Sequence, residues 1–119
     1  MGDYFERRLD DKRRLSIPVE LRDEFATGAV LTVGFQDDYL HLYPKGVWEQ
    51  QVEPKLKGNI LDEATADLNV RFRMGKADSV LDTKQGRIQI PQHLLARTGI
   101  KKEVVAVRAG SYWRLSRKD

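Results

Sequence analysis

The chain has 119 residues, of which 40% are hydrophobic, enough to bury one modest core. It contains no cysteine, which excludes disulfides, thiolate metal sites and a cysteine nucleophile. Its 21 basic residues are nearly balanced by 18 acidic ones, for a net charge of +3, so any affinity for a polyphosphate partner has to come from a local gathering of cations.

The opening Met-Gly-Asp-Tyr-Phe-Glu is acidic and poor in apolar residues, unlike a secretory signal, and no apolar run is long enough to span a bilayer. A cytoplasmic chain with no membrane partner is therefore expected. The first segment gathers Arg7, Arg8, Lys12, Arg13 and Arg14, interleaved with Asp3, Glu6, Asp10 and Asp11. That pattern suits a nucleic-acid surface and a solvated mixed-charge surface about equally. Leu15-Ser16-Ile17 alternates apolar and polar like a half-buried strand. Pro18 ends it and suits the first turn of a short helix, which Gly28 closes. Val30 to Val33 reads as a central strand, Gly34 to Asp38 as a turn, and Tyr39-Leu40-His41-Leu42 as an amphipathic final strand.

From Lys45 to about Gly75 the composition changes. Trp48, Val52 and Leu56 recur every four residues, and Leu61, Ala64, Leu68 and Phe72 every three or four, predicting two helices whose apolar faces serve the core or a subunit contact. Gly58-Asn59 separates them, with Asn59 as the expected cap of the second helix and Asp62 in its first turn.

The first order of elements then returns. Leu9-Asp10-Asp11-Lys12-Arg13-Arg14-Leu15-Ser16-Ile17-Pro18 reappears as Leu81-Asp82-Thr83-Lys84-Gln85-Gly86-Arg87-Ile88-Gln89-Ile90-Pro91. Leu9 and Leu81 are 81 − 9 = 72 residues apart, Arg14 and Arg87 87 − 14 = 73, so the second loop carries one extra residue, expected at Thr83 or Lys84. A second helix closed by Gly99, a strand from Val104 to Val107, a turn at Ala109 to Ser111 and a last strand from Tyr112 to Leu115 complete the duplication. The expected fold is α+β: a β-barrel of two β-α-β units joined by a helical pair, with repeat 1 at 1–44, the connector at 45–75 and repeat 2 at 76–119.

Two loops of the Asp-x-x-x-Arg type, each followed by a Leu/Ile-x-Ile-Pro strand and a short helix, with a helical pair between them, resemble the MraZ family over nearly the whole chain. The wider kin of that family are the AbrB-like or SpoVT-like swapped-hairpin barrels. The resemblance implies a nucleoid-associated transcriptional regulator, usually a repressor of the division and cell-wall gene cluster. It implies a ring-like homo-oligomer that binds short direct repeats of double-stranded DNA upstream of its own operon. Carried onto this sequence, the motif assigns Arg14 and Arg87 as principal DNA contacts, Lys12, Arg13 and Lys84 as phosphate-neutralising neighbours, and Asp10 and Asp82 as groups that orient the loops. The residue types suit that work, because a guanidinium fork can bond bidentately to phosphate or to a guanine edge, and a ring would repeat each weak loop many times.

The chain departs from the family pattern in three places. Arg13 stands where glycine is usual, so the first turn is expected to differ. Asp82 lies five residues before Arg87, against four between Asp10 and Arg14, so Arg14 is expected to matter more. The chain also ends soon after the last strand, which leaves the size of a ring open.

An enzyme, a metal site and a cofactor are not expected. His41 and His93 stand alone and read as ordinary surface residues, and no phosphate-cradling glycine motif or nucleophile elbow is present. Lys101-Lys102-Glu103 and Arg117-Lys118-Asp119 read as solvated charge, with the tail able to add nonspecific DNA affinity. The competing reading is an antitoxin-like protein-interaction module in which DNA binding is secondary.

Overall fold

The computed structural model describes residues 2–59 and 61–118. Met1 and Asp119, the outer bounds of the expected repeats, and Ile60 of the connector lie outside the described residues, Asp119 also closing the Arg117-Lys118-Asp119 run. The described residues form eight strands: β1 (Tyr4–Arg8), β2 (Arg14–Ser16), β3 (Ala29–Thr32), β4 (Tyr39–Pro44), β5 (Ala77–Ser79), β6 (Arg87–Gln89), β7 (Glu103–Ala109) and β8 (Tyr112–Arg117). A 3-10 helix, Val19–Phe25, follows β2, and α4 (Gln92–Thr98) holds the same place after β6. The connector holds α1 (Lys45–Val47), a π-helical turn (Trp48–Val52), α2 (Glu53–Leu56) and α3 (Glu63–Arg73). None of the described helices is long and apolar enough to cross a membrane.

Six strands form one antiparallel sheet in the order β1-β7-β8-β4-β3-β5, while β2 and β6 pair only with each other. The expected closed barrel is therefore not what the ladders form: β1 and β5 remain the sheet edges. The three-residue strands β2 and β6 end at Ser16 and Gln89, and Pro18 and Pro91, two residues on, have no amide to extend the ladder. The sheet order is symmetric if β1 answers β5, β7 answers β3 and β8 answers β4. Leu15 faces Ile88 and His41 faces Arg114. Since 88 − 15 and 114 − 41 both equal the 73 that separates Arg14 from Arg87, an approximate two-fold axis passes through both pairs. The repeats also exchange edges, β1 pairing with β7 and β5 with β3.

Both faces of the sheet are covered at β3 and β4, while one face of β1 and β7 stays open. Leu15, Ile17, Ile88 and Ile90 of the β2–β6 ribbon, with Phe25, Leu94 and Leu95 of the two helices, pack against Leu31, Leu40, Leu42, Trp113 and Leu115. On the other face Val30 and Tyr43 meet Trp48, Leu56 and Phe72 of the connector. This explains why all four residues of β3 are buried, the double-sided pattern its continuous apolar run predicts. Each fully buried leucine or isoleucine contributes roughly 1.5–3 kcal/mol.

Several local expectations change. The first connector helix is interrupted because Pro54 has no amide hydrogen for the carbonyl four residues back, and Glu53 N bonds to Trp48 O in π register instead. Asp62, not Asn59, caps α3: its carboxylate accepts from the Thr65 amide at 3.2 Å and from the Thr65 hydroxyl at 2.9 Å, because the helix starts one residue after it. Gly99 takes the left-handed cap of α4, whereas Gly28 lies beyond the 3-10 helix, whose cap is Ala26. Leu61 and Leu68 are exposed, so Phe72 alone of the second apolar set is buried.

His41 is fully buried rather than a surface residue. It lies on the two-fold axis, ringed by Tyr39, Tyr43, Tyr112, Phe35 and Phe72, and shares a 2.8 Å hydrogen bond with the Tyr43 hydroxyl. Gly34, at φ +71°, makes room for it, since a Cβ there would stand 2.4 Å from the imidazole. Burial first, and the Arg114 charge second, pull the imidazole down to about 4 from its ordinary 6.5. A depressed folded value means that, as pH falls below 6.5, the unfolded chain takes up a proton that the folded chain refuses. Folding stability should drop by on the order of 2 kcal/mol between about pH 7 and pH 5. Urea denaturation of the parent and of His41→Gln at both pH values checks this; an equal drop in the variant would place the effect elsewhere.

Candidate nucleic-acid interface

The first loop is built around one carboxylate. Asp10 Oδ1 accepts the amides of Lys12 and Arg14, each at 2.9 Å, and Oδ2 accepts Arg14 Nε at 2.7 Å. Main-chain bonds from Arg13 N to Asp10 O (3.0 Å) and from Asp10 N to Arg14 O (3.2 Å) close the turn. An aspartate that bonds the amide two residues on is the usual way this side chain fixes a turn. The second loop repeats the device: Asp82 Oδ1 accepts the Lys84 amide at 3.0 Å, and Asp82 N donates to Arg87 O at 2.9 Å.

That repetition locates the extra residue. Lys12 and Lys84 sit two positions after their aspartates in the same bond, and Arg13 and Gly86 share a left-handed backbone, φ +61° and +65°. The insertion is therefore Gln85, not Thr83 or Lys84. It is absorbed by a wider turn, in which Gly86 N reaches Asp82 O at 2.7 Å. Nor does arginine in place of glycine abolish the left-handed turn: Arg13 is the only non-glycine at positive φ among the described residues, a strain of order 1–3 kcal/mol.

The β2–β6 ribbon sets the loops side by side, and the charges interlock across them. Arg87 Nη1 lies 3.1 Å from Asp10 Oδ2 and its Nη2 lies 3.4 Å from Asp82 Oδ2. Asp10 thus serves both arginines, and two cations and two carboxylates form one neutral chain. Burial pushes the Asp10 carboxyl up, but the Arg14 amide and guanidinium and the Lys12 amide override it and hold it below its ordinary 3.8. The Lys84 amide, followed after opposing burial by the Arg87 guanidinium, holds Asp82 low as well. Since both folded values are depressed, these bonds contribute fully above 3.8 and are lost as pH falls through the folded values.

The two arginines are unequally placed. Arg14 engages its loop through Nε, and its side chain is 31% exposed; no bond of its terminal amino groups is recorded among the described residues. Arg87 spends both terminal groups on carboxylates, is 20% exposed, and keeps a buried Nε without a partner. Lys12 and Lys84 are exposed and Arg13 is half-buried, and none of the three has an ion pair among the described residues.

Sequence reasoning missed Arg22. Its Nε donates to Ile17 O at 2.9 Å, and the side chain lies over Gly86 so closely that a Cβ there would be 2.0 Å from Arg22 Nε. A lone arginine in a charged helix carries no sequence signal for this contact. Gly86→Ala should destabilise the chain by at least 1–3 kcal/mol, roughly, through positive-φ strain alone. Arg13→Gly should stay within about 1 kcal/mol of the parent, because relieved strain offsets lost packing and added chain entropy. Urea midpoints of the two variants provide the comparison, and equal losses would contradict it.

Comparison with known proteins identifies a family. A family model described as "MraZ protein, putative antitoxin-like" matches residues 2–71, which include the first loop and most of the connector. The transcriptional regulator MraZ of Clostridium acetobutylicum is 37% identical over 107 residues, covering 90% of this chain and 73% of that protein. The MraZ regulator of Roseiflexus castenholzii is 44% identical over 94 residues, 79% of this chain and 64% of that protein. That of Heliobacterium modesticaldum is 37% identical over 111 residues, 93% and 76% respectively. The chain thus spans roughly two thirds to three quarters of these relatives' own length. On these matches the chain belongs to the MraZ family.

Proposed function

We propose that the chain is a sequence-specific, DNA-binding transcriptional regulator. It acts as a cytoplasmic, nucleoid-associated repressor of the division and cell-wall gene cluster, its own promoter included. In this reading it is one unit of repeat 1 (1–44), connector (45–75) and repeat 2 (76–119), and several copies assemble into a ring that meets short direct repeats in double-stranded DNA. Arg14 and Arg87 contact the duplex, Lys12, Arg13 and Lys84 neutralise phosphates, and Asp10 and Asp82 hold the loops in shape. The regulatory role comes from the names that the relatives carry. The observation that carries the mechanism is the pairing of β2 with β6, which brings two basic loops to one place on the surface.

A partly exposed ion pair is worth at most about 1 kcal/mol, so a phosphate or a guanine edge can take an arginine from its aspartate at little cost. A bidentate base contact returns roughly 1–3 kcal/mol of discrimination. The second reading, a protein-interaction module, is favoured by an apolar cleft of about 220 Å³ between sheet and connector, lined by Phe35, Val52, Leu56, Leu68 and Phe72. The same exposed face is where a ring contact would lie. Steep weakening of promoter binding with salt separates the readings, because released counterions are the signature of phosphate contact.

Arg14→Ala should abolish specific operator binding while leaving fold and assembly unchanged. Arg87→Ala should cost less operator affinity but more stability, since it removes the only bridge between Asp10 and Asp82 among the described residues. Gel-shift titrations on DNA from upstream of the gene, with size-exclusion and urea controls, test both. Unchanged affinity in Arg14→Ala, or a larger binding loss in Arg87→Ala, would refute the assignment.

A further inference from the structure

Lys101 and Lys102, read from sequence as solvated charge, lie in the turn between α4 and β7. With Arg8, at the end of β1, they form the shared wall of two adjoining clefts. One, of about 280 Å³, opens onto the first loop at Asp10, Asp11 and Arg13. The other, of about 470 Å³, leads away from the loop past Glu103 to Lys118. The wall is tied to the loop through the main chain: Leu9 N donates to Lys102 O at 2.7 Å, and Arg8 faces Glu103 in the β1–β7 ladder.

Six cations and three carboxylates line the two clefts. Asp10 is already shared between Arg14 and Arg87, and Lys118 is held by Glu6 at 2.7 Å. Arg8, Lys101 and Lys102 are all exposed, and none has an ion pair among the described residues. The corresponding flank of the second loop is poorer in cations. The offset of 104 − 30 = 74 between Val30 and Val104 sets Thr27 and Gly28 against Lys101 and Lys102, and the offset of 72 sets Val80 against Arg8. At that place Lys45 is exposed and packs against Gly28, so among the described residues three unpaired cations flank the first loop and one the second.

We propose that Arg8, Lys101 and Lys102 form a phosphate-binding track that carries the backbone of double-stranded DNA away from the first loop. The duplex is thereby anchored at one end of the pseudo-symmetric chain and merely touched at the other. The proposal rests on the DNA-binding reading above and adds a sequence-independent contact to it, since phosphates position a protein without specifying sequence.

The test uses the full chain and the double variant Lys101→Gln/Lys102→Gln, whose exposed substitutions leave the core intact; a thermal melt verifies this. Affinity is titrated from about 50 to 200 mM salt against DNA from upstream of the gene and against an unrelated duplex. The double variant should bind both duplexes on the order of tenfold more weakly at low salt, with the log–log salt slope reduced by about 0.9 per lysine. A control, Lys55→Gln/Lys57→Gln on the connector, should keep the parental slope. An equal change in the control would show a mere net-charge effect and overturn the track. A parental slope in Lys101→Gln/Lys102→Gln, with Arg14→Ala still defective, would overturn it while the loop reading stands. Absence of salt-sensitive DNA binding by the parent would overturn both. Inorganic triphosphate binding that needs Lys101 and Lys102, with DNA affinity independent of them, would assign them to a free polyphosphate and overturn the track.

Discussion

Ile17 N donates to Gly86 O at 2.8 Å, and Ile90 N donates to Arg13 O at 2.9 Å. Each bond joins the strand of one repeat to the loop of the other, and each acceptor belongs to a residue at positive φ. The left-handed turn is thus a demand of the cross-repeat bond rather than a local preference, and this accounts for arginine adopting it in the first loop. The same bonds draw Leu15, Ile17, Ile88 and Ile90 under the ribbon, where they are almost completely buried. Core, loop conformation and the spacing between loops are set by one interaction.

Electrostatics follows from that spacing. Once the loops are adjacent, Asp10 lies within reach of both arginines, and the guanidinium groups are oriented before any partner arrives. Orientation has a cost in availability, which Arg87 bears more than Arg14. In the DNA-binding reading proposed above, ion pairs this partly exposed are shallow enough for phosphate to compete with them. The loops are therefore preorganised without being locked, the condition under which little side-chain entropy remains to be lost on binding.

Much of this was legible in the sequence because duplication shows itself in landmarks. The period-two strands, the prolines after them, the connector and the basic loops all follow from residue type and spacing. What was hidden depended on contacts between distant segments. A closed barrel was the natural expectation for two β-α-β units, yet the ribbon stays apart, β2 and β6 pairing only with each other. His41 alternates with leucines like a surface residue, and only the pairing of β4 with β8 places it on the axis among aromatic rings. The inserted residue in the second loop could not be assigned until the aspartate bonds showed which lysines correspond. That Lys101 and Lys102 stand beside the first loop follows only from the pairing of β1 with β7, the strand they precede.

The exchange of edges between the repeats, β1 onto β7 and β5 onto β3, has an evolutionary corollary. Two identical chains assembled in this way would be bound by symmetry to carry identical loops, and any change in one would appear in both. Joining the copies by the connector removes that obligation. One hairpin can exchange glycine for arginine while the other gains a glutamine, and cations can accumulate on a single flank. Covalent fusion turns a symmetric assembly into a molecule with a front and a back, whose two loops are free to differ.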